Sequence, residues 1–127
     1  MSRAEVHSAL TEFLDAFGKL EWERFCGCFA DDAAVYLPFE ARPHLAIGKA
    51  EIEAGFRPLF DKLRSSGSGP RYLHLAPIGT RVDLVSDMAV VTFELDLPDA
   101  TGRRTIVFGM RNGVWKIVHL HASNVSA

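Results

Sequence analysis

The dipeptide Asn112-Gly113 does most to limit what this chain can become. Both residues tolerate positive φ, so the pair reads as a type I′ turn, whose twist suits a two-residue β-hairpin. Fixing the turn fixes a register. Arg111 pairs with Val114, and Arg103–Arg111 runs back against Val114–Ser123. On one face this predicts Val107 opposite Val118, Thr105 opposite Leu120 and Arg103 opposite Ala122. On the other it predicts Met110 opposite Trp115, Phe108 opposite Ile117, Ile106 opposite His119 and Arg104 opposite His121. The preceding strand, Met88–Leu97, alternates between Ala89, Val91, Phe93 and Leu95 on one side and Val90, Thr92, Glu94 and Asp96 on the other.

The face carrying Val107 is aliphatic and small, and is expected to carry helices. The other mixes Trp115, Phe108 and Met110 with His119, His121, Arg104 and Glu94, too much apolar surface to leave in water. A second copy related by a two-fold axis is the commonest cover for such a face. The expectation is a homodimer through the face carrying Trp115, Phe108 and Met110.

Upstream, Ser2-x-x-Glu5 is a capping box. Val6, Leu10, Phe13, Leu14 and Phe17 follow at helical spacing, and Gly18 stops the helix. A shorter helix places Trp22, Phe25, Cys26 and Phe29 on one face and ends at Ala30-Asp31-Asp32. Ala33–Phe39 reads as a strand limited by Pro38 and Pro43. From Lys49, Ile52, Phe56, Leu59, Phe60 and Leu63 mark a third helix, which Pro58 should kink or divide. Residues Ser65 to Pro70 form a flexible loop. Arg71–Val85 is extended, with Pro77 and Gly79 marking a bend or bulge. Pro98 to Gly102 turns the chain into the final hairpin. Helices first and strands after give an α+β layout.

A chain of 127 residues with 48% hydrophobic content is one domain, 1–127, able to bury a core without staples. A net charge of −2 leaves no basic footprint for nucleic acid or an anionic membrane. Cys26 and Cys28 point in different directions on a helix and read as reduced thiols. With no apolar leader at the start, the expected location is cytoplasmic.

Three stretches, helix 1, Phe29-Ala30-Asp31-Asp32-Ala33-Ala34-Val35 and Trp115-Lys116-Ile117-Val118-His119-Leu120-His121-Ala122-Ser123, together make the chain resemble the nuclear transport factor 2-like superfamily. It is most similar to SnoaL-like proteins and to the association domain of calcium/calmodulin-dependent protein kinase II. The resemblance implies a cone-shaped α+β fold, with a curved antiparallel sheet and about three N-terminal helices around one pocket, usually in a dimer. Its members include ketosteroid isomerases, polyketide cyclases, epoxide hydrolases and dehydratases, so the fold does not deliver a function. Carried over residue by residue, the isomerase base falls on Leu37, its helix-1 donor on Phe13 and its sheet donor at or near Val107, on the pocket side. None of the three can carry a proton, so isomerase chemistry is not expected. The kinase domain's pocket arginines fall on Glu94, Ile106 and Ala122.

These readings give a ligand-binding set of Phe13, Trp22, Leu37, Val107 and Leu120, with Arg103 and Thr105 meeting a ligand's polar end. His74 and His121 are the candidates for a catalytic base. His119 and His121 could instead pair on a metal with Glu94 or Asp96, but interface histidines are the plainer reading. No metal and no cofactor is expected. Tyr36 and His44 are candidates for the cavity rim, and Asp31 and Asp32 for a turn. The leading function is a binding module for a small hydrophobic molecule. The alternatives are a cyclase, isomerase or dehydratase using a pocket histidine, and a structural oligomerisation domain. A histidine ring inside the cavity would favour the enzyme.

Overall fold

The computed structural model describes residues 2–67, 69 and 71–126. Its first helix, α1 (Arg3–Gly18), starts on the capping box. The Glu5 N–H donates to Ser2 Oγ at 3.2 Å, and the Ser2 N–H donates to the Glu5 carboxylate at 2.7 Å. At the other end, Gly18 permits a close approach. Its carbonyl accepts from the N–H groups of Tyr72 and Leu73 at 2.8 and 3.1 Å, and a Cβ there would lie 2.7 Å from the Leu73 carbonyl. The strap beginning at Arg71 is thereby tied to the end of α1. The Arg71 guanidinium adds an ion pair to Asp15, which also meets Arg24 at 2.8 Å and Lys19 at 3.2 Å. Arg71 is the main reason the Asp15 carboxyl is held well below the usual carboxylate range.

α2 (Trp22–Cys26) is short, and β1 (Phe29–Tyr36) follows after two residues. Ala30, Asp31 and Asp32 therefore lie inside a strand and do not end a helix. The two carboxylates face water while Phe29, Ala30, Ala33 and Val35 are buried. A two-residue strand that the sequence did not announce, β2 (Ala46–Ile47), pairs with β1. α3 (Lys49–Ser66) runs through Pro58 as one element. Proline removes the N–H that would have bonded the Ala54 carbonyl, and the Arg42 guanidinium takes that carbonyl at 3.0 Å. The helix absorbs Ser65 and Ser66, so the loop after it is shorter than expected. Ser68 and Pro70 lie outside the described residues, as do Met1 and Ala127.

β3 (Ile78–Val85), β4 (Met88–Leu97), β5 (Ala100–Arg111) and β6 (Val114–Ser126) complete a curved, unclosed six-stranded sheet of order β2-β1-β6-β5-β4-β3. Among the described residues every pairing is antiparallel except β1 with β6, which makes the sheet mixed. Gly79, at φ 64°, sits where the β3–β4 register shifts. Residues 71–77 belong to no strand. Asn112 and Gly113 adopt φ 54° and 79°, the turn their identities predict. Among the described residues no helix is long and apolar enough to cross a membrane.

Near this turn the register is the expected one, with Arg111 opposite Val114, Met110 opposite Trp115 and Phe108 opposite Ile117. It then slips. Val107 pairs with His119, leaving Val118 as an extra residue in β6. This is a β-bulge. Gly109 makes room for it, because a Cβ there would lie 3.1 Å from the Val118 side chain. The consequence is an exchange of faces. Beyond the bulge the inner row across five strands is Val35, Leu120, Ile106, Val91 and Val82, all buried. The adjacent outer row is Tyr36, His121, Thr105, Thr92 and Arg81.

Two expectations are corrected by this. Val107, Thr105 and Arg103 do not share the helix-covered face with Leu120 and Ala122. Nor do Phe108 and Ile117 form an outer interface, since both are buried in the core at 1% and 0% exposure. Trp115 is half-buried against that core and borders a hollow with Ala9 and Glu12 of α1.

Candidate functional site

The inner face of the sheet curves away from α1 and α3 and leaves a cavity of about 260 Å³ between them. Helix α1 supplies Phe13, Leu14 and Phe17, and α3 supplies Phe56 and Leu59. Pro38 and Phe39, just beyond β1, close one side. Leu73 and Leu75 of the strap close another. The floor is Phe93, Leu95 and Leu97 of β4, Ile106 of β5, and Leu120 and Ala122 of β6. Phe17 stacks on Phe60 at 5.7 Å with an interplanar angle of 4° and meets Phe56 edge-on, also at 5.7 Å.

Among the described residues only two polar side chains line this space, Arg104 and Asn124. Arg104 lies on β5 between Phe93 and Ala122, both buried. Its Nη1 donates to the Ser123 carbonyl at 2.9 Å, to Asn124 Oδ1 at 3.1 Å and to the Arg103 carbonyl at 3.1 Å. Among the described residues no carboxylate reaches it. Burial lowers the pKa of this guanidinium from its ordinary value, yet an arginine stays charged at neutral pH.

Of the residues singled out from the sequence, Phe13 and Leu120 line the cavity. Leu37 is buried but packs on α3, its Cδ1 filling the space over Gly55. Trp22 stands outside the cavity, edge-on to Phe60 at 4.9 Å, with the Arg57 guanidinium 4.8 Å over its ring. Val107, Thr105 and Arg103 face the other way, and Arg103 donates to Ser123 Oγ at 3.2 Å. The inward neighbours of Val107, Ile106 and Phe108, are apolar too, so the absence of an isomerase donor there does not depend on the register.

Both proposed bases stand outside. His74 is exposed, between Leu73 and Leu75, whose side chains turn inward. His121 is exposed on the outer face, its ring 5.2 Å from that of Tyr36. His119 is 6.5 Å from the same tyrosine. His44 is also exposed. Among the described residues no cluster of three histidine, cysteine or acidic groups could hold a metal ion, so Glu94 and Asp96 do not complete a site with the two histidines. Sequence reasoning missed Phe39, Phe56, Leu73, Leu75, Phe93 and Arg104 as lining residues. The alternation Leu73-His74-Leu75 was a usable signal; Arg104 was hidden by the bulge.

Solved structures share this architecture. A nuclear transport factor 2-like protein of unknown function from Pseudomonas putida KT2440 is similar with a TM-score of 0.77 at 17% identity, over 94% of this chain and 84% of that one. A CaMKII hub homology domain from Chlamydamonas reinhardtii is similar at 0.73 and 24% identity, over 99% and 100% of the two chains. The association domain of C. elegans CaMKII is similar at 0.72 and 19% identity, over 95% and 94%. At these identities the likeness establishes the fold. No curated protein matches the chain. The family model described as a SnoaL-like domain matches residues 6–127, and the chain belongs to that family.

Proposed function

We propose that this protein binds a small hydrophobic molecule in the cavity between its helices and sheet, and does so as a homodimer. The observation that carries the first part is the lining itself: a preformed space walled by phenylalanine and leucine, interrupted among the described residues only by Arg104 and Asn124. Apolar cavities with few convergent polar groups are how small-molecule sites are built. Among the described residues the lining holds no carboxylate, imidazole, thiol or phenol, so no side chain there could serve as the base that proton abstraction requires.

Support for the dimer comes from the outer face of the sheet. Tyr36, Ile78 and Met88 are 39%, 52% and 40% exposed there, with Val90, Val107, Val118 and His119 half-buried among them. Such a face suits a second copy of itself, and two structures of similar fold are named as a hub and an association domain.

The neutral fluorophore N-phenyl-1-naphthylamine tests the binding reading. It should brighten with the native chain, while Leu73→Trp, which fills the cavity from the strap, should abolish the signal without unfolding the protein. An undiminished signal in that variant would place the dye elsewhere and defeat the proposal. Light scattering should give twice the chain mass, reduced to one chain by Val107→Lys.

A further inference from the structure

Arg104 is a charge in an oily place, and nothing already argued uses it. Its neighbours across the sheet, Phe93 and Ala122, are apolar, and its compensation is carbonyl oxygen alone. Three acceptors converge on Nη1, leaving Nε and Nη2 without an acceptor among the described residues. A guanidinium that needed only solvation could extend from the outer face, as Arg103 does one residue earlier. Here space is kept for it inside. Gly102, next along the inner row, has no side chain, and a Cβ there would sit 3.3 Å from Arg104 Nη1 and 3.2 Å from Leu95 and Leu97. Asn124 is exposed, which puts this polar pair at the rim. Because Asn124 Oδ1 already accepts from Arg104, its amide N–H groups are left to donate.

From this geometry we infer that the cavity takes an amphipathic monocarboxylate, its chain among Phe13, Phe17, Phe56 and Phe93 and its carboxylate on Arg104 and Asn124. The inference rests on the binding reading above and names the ligand's chemical class. A planar fork with open N–H groups is the natural partner of a carboxylate. One cation suits a monoanion better than a phosphate or a dicarboxylate. Among the described residues the remaining wall offers no polar side chain to a polyol.

The test compares decanoate with 1-decanol as displacers of N-phenyl-1-naphthylamine from the full chain at neutral pH. Decanoate should act at roughly tenfold lower concentration or better, the size expected for a charge-assisted hydrogen bond. Arg104→Gln should erase that preference, and Arg103→Gln on the outer face should keep it. Equal displacement by acid and alcohol, or a preference surviving in Arg104→Gln, overturns the inference while the binding reading stands. Failure of the dye to bind the native chain overturns both. Should Arg104→Gln lose the dye altogether, Arg104→Lys decides: preserved charge must preserve the preference, and its loss there counts against the inference.

Discussion

The two halves of the last hairpin have similar compositions and opposite fates. Next to the turn, Phe108, Met110, Trp115 and Ile117 hold the register that Asn112-Gly113 sets, and Phe108, Trp115 and Ile117 pack in or against the core. Beyond Val118 each residue of β6 has moved on by one. Leu120 and Ala122 then enter the core with Ile106, and His119 and His121 go out with Val107 and Thr105. One inserted residue reverses every side chain after it. On β6 the division between cavity wall and outer surface is therefore set by this single irregularity, while β5 keeps its alternation throughout.

Removing the irregularity gives the largest expected effect. Gly109→Val would set a Cβ 3.1 Å from the Val118 side chain and crowd it out of the bulge. The simple register that relieves the clash turns His119 and His121 inward and expels Leu120 and Ala122. Two imidazoles would then need partners that an apolar cavity lacks. The Gly109→Val variant should show no cooperative urea transition. A normal transition would mean that the bulge does not decide the faces.

Single substitutions sharpen the same contrast. Phe108→Ala should cost about 3–5 kcal/mol, the range for truncating a fully buried phenylalanine. Thr105→Ala, only three residues earlier on β5 but on the outer face, should stay within about 0.5 kcal/mol. Urea unfolding of the two variants tests the difference, and comparable costs would remove it.

A smaller effect comes from the thiols. Burial pushes the Cys26 thiol up to about 11 and raises that of Cys28 as well. At neutral pH Cys26 should carry about 100-fold less thiolate than at its ordinary value and react slowly with a maleimide. A cysteine introduced at Thr105 should react at the rate of an exposed thiol in the dilute, monomeric Val107→Lys background. Equal protection of all three would contradict the outward placement of that row.

Much of the fold was legible because local chemistry and tertiary structure agree. The capping box, the α1 stripe, the Met88–Leu97 strand and the Asn112-Gly113 turn are all present as their residues predict. β1 began early because Asp31 and Asp32 resemble a helix end, whereas in a strand they simply face water. Pro58 left α3 whole because Arg42, distant in sequence, takes the orphaned carbonyl. The site was less legible. Phe13 was found from helical spacing and family resemblance, and Leu120 from the aliphatic alternation of the last strand. Arg103 was chosen where Arg104 was right, because no residue type announces the bulge at Val118; it shows only against Gly109 on the neighbouring strand.

The central claim is that the cavity lies on the face carrying Ile106 and Leu120. Intermolecular nuclear Overhauser effects between 1-decanol and a chain labelled at its isoleucine, leucine and valine methyls would test it most directly. Cross-peaks from the alkyl chain should appear to Ile106, Leu120 and Leu95 and be absent at Val107 and Val90. Cross-peaks to Val107 with Ile106 silent would contradict the account, as would a saturating titration that shifts none of the inner methyls.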